Sequence, residues 1–256
     1  MRFQPSEVAK FALVLYLADF MTRRAHVTGE WRRGVQPLLI GFLAIAFLVM
    51  MQPDLGTTLA LSVIFLTVIL IGGVRWRHLF LIFVSFAAAA AAFSVAVPWR
   101  RRRLFTFLDP WKDTGNAGYQ VAQSFIAVAS GRWTGTGLGA GRAKWSFLPN
   151  AHNDFIFAII AEEVGFVGCA LVLALFGIFA VLGVRTALKA PDRFGCLLAA
   201  GITAWVVGQA VANIATVVGL MPVTGVPLPF ISFGGTALVI VMAAVGVLLS
   251  VARQAR

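Results

Sequence analysis

The sequence predicts an all-α, polytopic transmembrane helical bundle of about seven spans with one large extracytoplasmic loop. Three observations predict it. Of 256 residues, 60% are hydrophobic and only 12% charged, about half the charged share of a soluble domain. The apolar residues form continuous runs without period-two alternation, which suits membrane helices and not barrel strands. The formal net charge of +11 is carried mostly between those runs, as in loops of an integral membrane protein. The same composition excludes a disordered chain. It also excludes a soluble nucleic-acid binder, because too few polar residues remain to build a basic face. Cys169 and Cys196 both lie in apolar runs and read as small hydrophobes, not as a disulfide framework.

A hydrocarbon core of ~30 Å needs about 20 helical residues. The runs that meet or approach this are Ser6–Met21, Val35–Met51, Leu55–Gly73, Leu79–Val97, Phe155–Val184, Phe194–Leu220 and Phe230–Val251. The fifth spans about 30 residues, or ~45 Å of helix. Glu162, Glu163 and Gly165 therefore predict a bend there, or an end standing above the membrane. Four short basic segments fix the orientation: Arg23 to Arg33, Arg75 with Arg77, Arg185 to Arg193, and Arg253 with Arg256. Seven spans place all four on one side, the cytoplasm. The segment 98–153 then faces outward despite Arg100–Arg103, Lys112, Arg132, Arg142 and Lys144. Residues 1–256 read as one membrane domain containing that loop. The first span follows Met1 almost at once and has no signal-peptide character, so the pattern predicts that earlier spans are missing.

Several residues do not belong in lipid. Glu7 and Lys10 share a helical face, either as a neutralising pair or as charges lining a substrate path. Arg2 lies just outside the same helix. Asp54, in Gln52-Pro53-Asp54-Leu55-Gly56, is read first as a helix cap. In the outer loop, Tyr119–Ser130 predicts a short amphipathic helix on the membrane surface. Five glycines from Gly131 to Gly141 follow, while Trp111, Trp133 and Trp145 suit an interfacial belt. The loop cations either bind lipid head groups or hold a diphosphate leaving group. Asp154, after His152 and Asn153, is either an N-cap or a general base. His152 alone makes no metal site. Glu162 and Glu163 cannot share one regular helical face with Asp154, and one of them is expected to pair with a basic residue on a neighbouring helix. Pro222, Pro227 and Pro229 break the backbone before the last span, which is tolerated where it is buried in protein or lines a cavity.

Four stretches together resemble the SEDS family of bacterial cell-wall polymerases, the FtsW and RodA type. They are RFQPSEVAK (Arg2–Lys10), QPDLGTT (Gln52–Thr58), FLPNAHNDFIFAIIAEEVG (Phe147–Gly165) and NIATVVGLMPVTGVPLPFISFGG (Asn213–Gly235). The LDPWKDTGNAGYQ and IIAEE stretches are more similar to the FtsW branch. The resemblance implies ten spans, of which these seven correspond to the last. It implies a peptidoglycan glycosyltransferase in the bacterial cytoplasmic membrane that polymerises lipid II by inverting displacement of undecaprenyl diphosphate. Asp154 matches the catalytic position. Arg2, Glu7, Lys10, Asp54, His152 and Lys144 are the expected substrate-binding residues. Asn153 stands where the family usually has Thr. The expected partners are a class B penicillin-binding protein, other division or elongation proteins and membrane lipids. The resemblance fixes no cofactor and leaves a divalent cation open. Two other readings stand beside this one: a flippase or transporter of the lipid-linked precursor, and a non-catalytic division scaffold.

Overall fold

The computed structural model describes residues 4–52, 54–113, 118–143 and 153–255. Seven long helices follow the apolar runs: α1 (Pro5–Arg23), α2 (Gln36–Met51), α3 (Leu55–Ile71), α4 (Trp76–Ala96), α7 (Ile156–Lys189), α8 (Arg193–Val217) and α9 (Gly235–Gln254). Two shorter ones, α5 (Pro98–Leu108) and α6 (Tyr119–Gly131), lie in the region read as a loop. Pro at the first turn starts α1, α2 and α5, where its missing N–H costs nothing. Asp54 caps α3. One of its carboxylate oxygens accepts from the Thr57 amide at 2.9 Å and the other from the Thr57 hydroxyl at 2.6 Å. A π-helical stretch, Trp31–Val35, leads into α2.

The helices are those of a multi-pass membrane protein. Five are long and apolar enough to cross a bilayer: Trp31–Met51, α4, α7, α8 and α9. The apolar α3 is shorter, and α1 carries Glu7, Lys10, Asp19 and Arg23. Many large apolar side chains point outward, among them Phe47, Phe80, Leu171 and Leu249. Such a surface suits lipid and not water.

The chain divides into two compact units. One comprises Met1–Ala87, Ile178–Gly208 and Gly235–Arg256; the other comprises Ala88–Gly177 and Gln209–Gly234. The first is cored by Leu13, Leu17, Leu61, Ile64, Phe65 and Trp205, all fully buried. Gly201 of α8 lies against Val14 and Val68, where a Cβ would sit 2.8 Å and 3.0 Å from their methyls. Phe42 stacks on Phe86 at 4.8 Å and leans on Phe65 at 4.7 Å. The second unit is cored by Ala127, Phe155, Phe157, Ala158, Ala210, Val217 and Leu228.

Candidate functional site

Asp154 sits two residues before α7 begins. That leaves Phe155, 1% exposed, in the N-cap position, one residue past the expected cap. The Asp154 side chain is half-buried. Its wall is the proline-broken segment between α8 and α9. Gly225 takes the left-handed φ of 72°, and a Cβ there would lie 3.8 Å from an Asp154 carboxylate oxygen.

Two side chains tie this segment to the turn at Asn153 and Asp154. Asn213, 1% exposed, donates from Nδ2 to the Asp154 carbonyl and to the Val226 carbonyl, both at 2.8 Å. Ser232 donates to the Asn153 carbonyl at 2.6 Å and accepts from the Leu228 amide at 2.7 Å. Arg103 of α5 reaches the Val223 carbonyl at 3.5 Å. Backbone that proline excludes from a helix is thereby satisfied by side chains, as a water-poor site demands. Phe230, in the same segment, holds a φ of 66°, a strain typical of functional loops. Asn213→Leu is expected to destabilise the protein by about 2 kcal/mol or more, since two buried carbonyls lose their donor. Thermal unfolding in nanodiscs checks this.

Eight residues past Asp154, the outer loop is spliced into α7. The helix breaks at Gly165, at φ 72° and ψ −163°. In an unbroken helix the Phe166 and Val167 amides would donate to the Glu162 and Glu163 carbonyls. Here they donate instead to the Arg132 and Trp133 carbonyls, at 2.9 Å and 3.2 Å. The Glu162 and Glu163 carbonyls accept from the Thr136 and Gly137 amides, at 2.9 Å and 3.0 Å. Two helical bonds are thus replaced by four bonds to loop backbone. The close approach explains the glycines: a Cβ at Gly131 would strike the Ala161 carbonyl, one at Gly135 the Glu163 carbonyl, and one at Gly165 the Gly135 amide. Gly165→Ala is expected to cost about 1–3 kcal/mol from its φ alone. Faster hydrogen exchange at Phe166 and Val167 would report it.

The carboxylates continue the contact. Glu162, 6% exposed, accepts from the Arg142 and Ala143 amides at 2.8 Å and 3.0 Å. Glu163 accepts from the Gly139 amide at 3.1 Å. The expected pairing of one glutamate with a basic side chain on a neighbouring helix is replaced by these bonds. Side-chain pattern does not advertise backbone donors.

In the other unit, Glu7 and Lys10 form an ion pair at 2.7 Å, each side chain 1% exposed. The Lys10 ammonium lies 5.3 Å from the centre of the Trp205 ring, within cation–π range. The structure therefore brings Glu7 and Lys10 together and adds Trp205, which the sequence did not single out, while the Asp54 carboxylate is bonded to Thr57 as the cap of α3. Arg2, Lys144 and His152 lie outside the described residues. Among the described residues, no three His, Cys, Asp or Glu side chains gather as a metal site.

Comparison with known proteins bears on this arrangement. The FtsW/RodA/SpoVE family model, described as a cell cycle protein, matches residues 1–256. Stage V sporulation protein E of Bacillus subtilis is 41% identical over 99% of this chain and 69% of its own length. A probable peptidoglycan glycosyltransferase FtsW of Thioalkalivibrio sulfidiphilus is 42% identical over 98% of this chain and 64% of its own. The chain spans about two thirds of the length of such curated relatives. Among solved structures, one of a peptidoglycan synthase complex that coordinates polymerization and crosslinking matches with TM-score 0.80 and 29% identity, over 100% of this chain and 71% of that one. Rod shape determining protein RodA of Thermus thermophilus matches with TM-score 0.67 and 27% identity, over 99% and 66%.

Proposed function

The chain belongs to the FtsW/RodA/SpoVE family, and from that premise we propose that it polymerises lipid II into β-1,4 glycan strands at the outer face of the bacterial cytoplasmic membrane. The observation that carries this reading is Asp154: a half-buried carboxylate at the head of a membrane helix, beside the left-handed Gly225, with its backbone fixed by Asn213. Relatives named as peptidoglycan glycosyltransferases support it.

The chemistry needs one base. As the acceptor sugar hydroxyl attacks the donor's anomeric carbon, its proton passes to Asp154. The bond from that carbon to the lipid diphosphate breaks, and a β bond replaces an α bond in one inverting displacement. The diphosphate leaves with its electron pair and requires cations. The exposed Arg142, with Lys144 and His152 from the sequence motifs, would supply them or steady the head group, and Arg2 is a further candidate for substrate binding. A divalent cation arriving with the substrate would serve the same end. Glu7, Lys10 and Asp54 would form a separate charged substrate-binding group.

A class B penicillin-binding protein is the proposed partner, in division more than in elongation. The similarity to the synthase complex and the FtsW-named relatives support both parts. The test is glycan formation from labelled lipid II by the full-length protein with that partner in membranes. Strands of many disaccharides are expected. Lipid movement across vesicles without any polymer would overturn the proposal in favour of a transporter, which the buried Glu7–Lys10 pair would also suit.

A further inference from the structure

We infer that Glu162 is a positioning residue that holds Arg142 in place for the lipid diphosphate; the diphosphate part of this rests on the polymerase reading above. Glu162 does not touch the reacting atoms in this scheme. It acts through the loop.

The splice leaves part of the loop unfixed. It bonds the Thr136, Gly137, Phe166 and Val167 amides to backbone carbonyls, and the Thr136 hydroxyl adds a bond to the Glu162 carbonyl. These bonds fix the loop as far as Gly137, and the Glu163 carboxylate then holds the Gly139 amide at 3.1 Å. The chain then runs through Gly139 and Gly141, where backbone freedom is greatest. Without a further anchor, Arg142 would hang from a glycine tether. Glu162 supplies the anchor. Its two carboxylate oxygens each take one of two consecutive amides, Arg142 at 2.8 Å and Ala143 at 3.0 Å. Gly141 is packed so closely that a Cβ would lie 2.9 Å from a Glu162 oxygen.

A buried carboxylate needs strong donors to hold its charge. Two amides provide them at the very residue whose guanidinium stays exposed. Such charge-assisted bonds are about twice as strong as neutral ones. The same helix segment carries Asp154 at its head and Glu162 two turns below. One rigid element thus sets both the base and the mounting of a cation. A plain packing role would not require the carboxylate to bond the Arg142 amide.

The experiment uses Glu162→Gln in the full-length protein. The amide side chain offers one acceptor in place of two, and its NH2 faces a donor. Hydrogen exchange at Arg142 and Ala143 is expected to speed up about tenfold or more, while Thr136, Gly137, Phe166 and Val167 keep their protection. Unchanged exchange at Arg142 and Ala143 overturns the inference. So does equal loss across all six amides, which would mean general unfolding.

The second arm is kinetic. Glu162→Gln is expected to raise KM for lipid II about tenfold, the weight of roughly one charge-assisted bond, with kcat within about threefold. Arg142→Ala should raise KM similarly, and the double variant should go no further. Additive effects, or a fall in kcat with KM unchanged, would overturn the assignment. Should the unaltered protein make no glycan at all, the polymerase reading falls, and the exchange arm still decides whether Glu162 anchors the loop.

Discussion

Asp154→Asn is expected to lower glycan formation from lipid II by more than about 100-fold, the usual contribution of a general base. Asn213 and Gly225 meet the Asp154 carbonyl and the flank of its side chain, and neither contact depends on charge. Asn has nearly the same size and shape. The variant should therefore fold, insert and melt as the unaltered protein does, within about 0.5 kcal/mol. Gel analysis of strands made from fluorescent lipid II gives the rate. An undiminished rate in a folded Asp154→Asn protein would remove Asp154 from the chemistry.

The second large effect concerns stability. Lys10→Met is expected to cost about 3–5 kcal/mol, because it leaves a buried carboxylate without its counter-charge. Glu7 donates nothing and has one oxygen on Lys10; its other oxygen, Oε2, has no hydrogen-bond partner among the described residues. Removing Lys10 would strand both oxygens in a site 1% exposed. The Trp205 ring would lose its cation as well. The combined change Glu7→Gln with Lys10→Met should recover most of the loss, since two neutral side chains replace two ions. Thermal unfolding of the three variants in nanodiscs measures this. A single Lys10→Met no less stable than the double would show that Glu7 finds compensation elsewhere.

Much of the fold was legible because lipid imposes a simple rule on sequence. Seven apolar runs became α1 to α4 and α7 to α9, displaced by a few residues at their ends. The bend foreseen near Glu162 and Glu163 falls at Gly165. The amphipathic stretch became α6, and Asp54 became a cap. α5 was absorbed into the loop, since four consecutive arginines mask an 11-residue helix started by Pro98.

The site was legible only in part. Asp154 was marked by its place in a motif. Asn213 was quoted within a motif but given no role, because its partners lie 59 and 13 residues away and such bonds leave no local periodicity. Glu162 was noticed for its charge, but its bonds to the Arg142 and Ala143 amides were not foreseen. Backbone amides have no letter in the sequence, so a glycine-rich loop that serves a carboxylate looks the same as one that merely turns. Trp205 read as one more apolar residue of α8.

The splice at Gly165 has a further meaning in polymer terms. Thr136 and Glu162 are 26 residues apart along the chain and bonded at both the amide and the hydroxyl of Thr136. Asp154 therefore rides on a closed loop and not on a free strand. Closing a loop of that length costs about 3 kcal/mol of chain entropy. That cost is met once, when the protein folds, so the Asp154 carboxylate no longer has to be localised afresh.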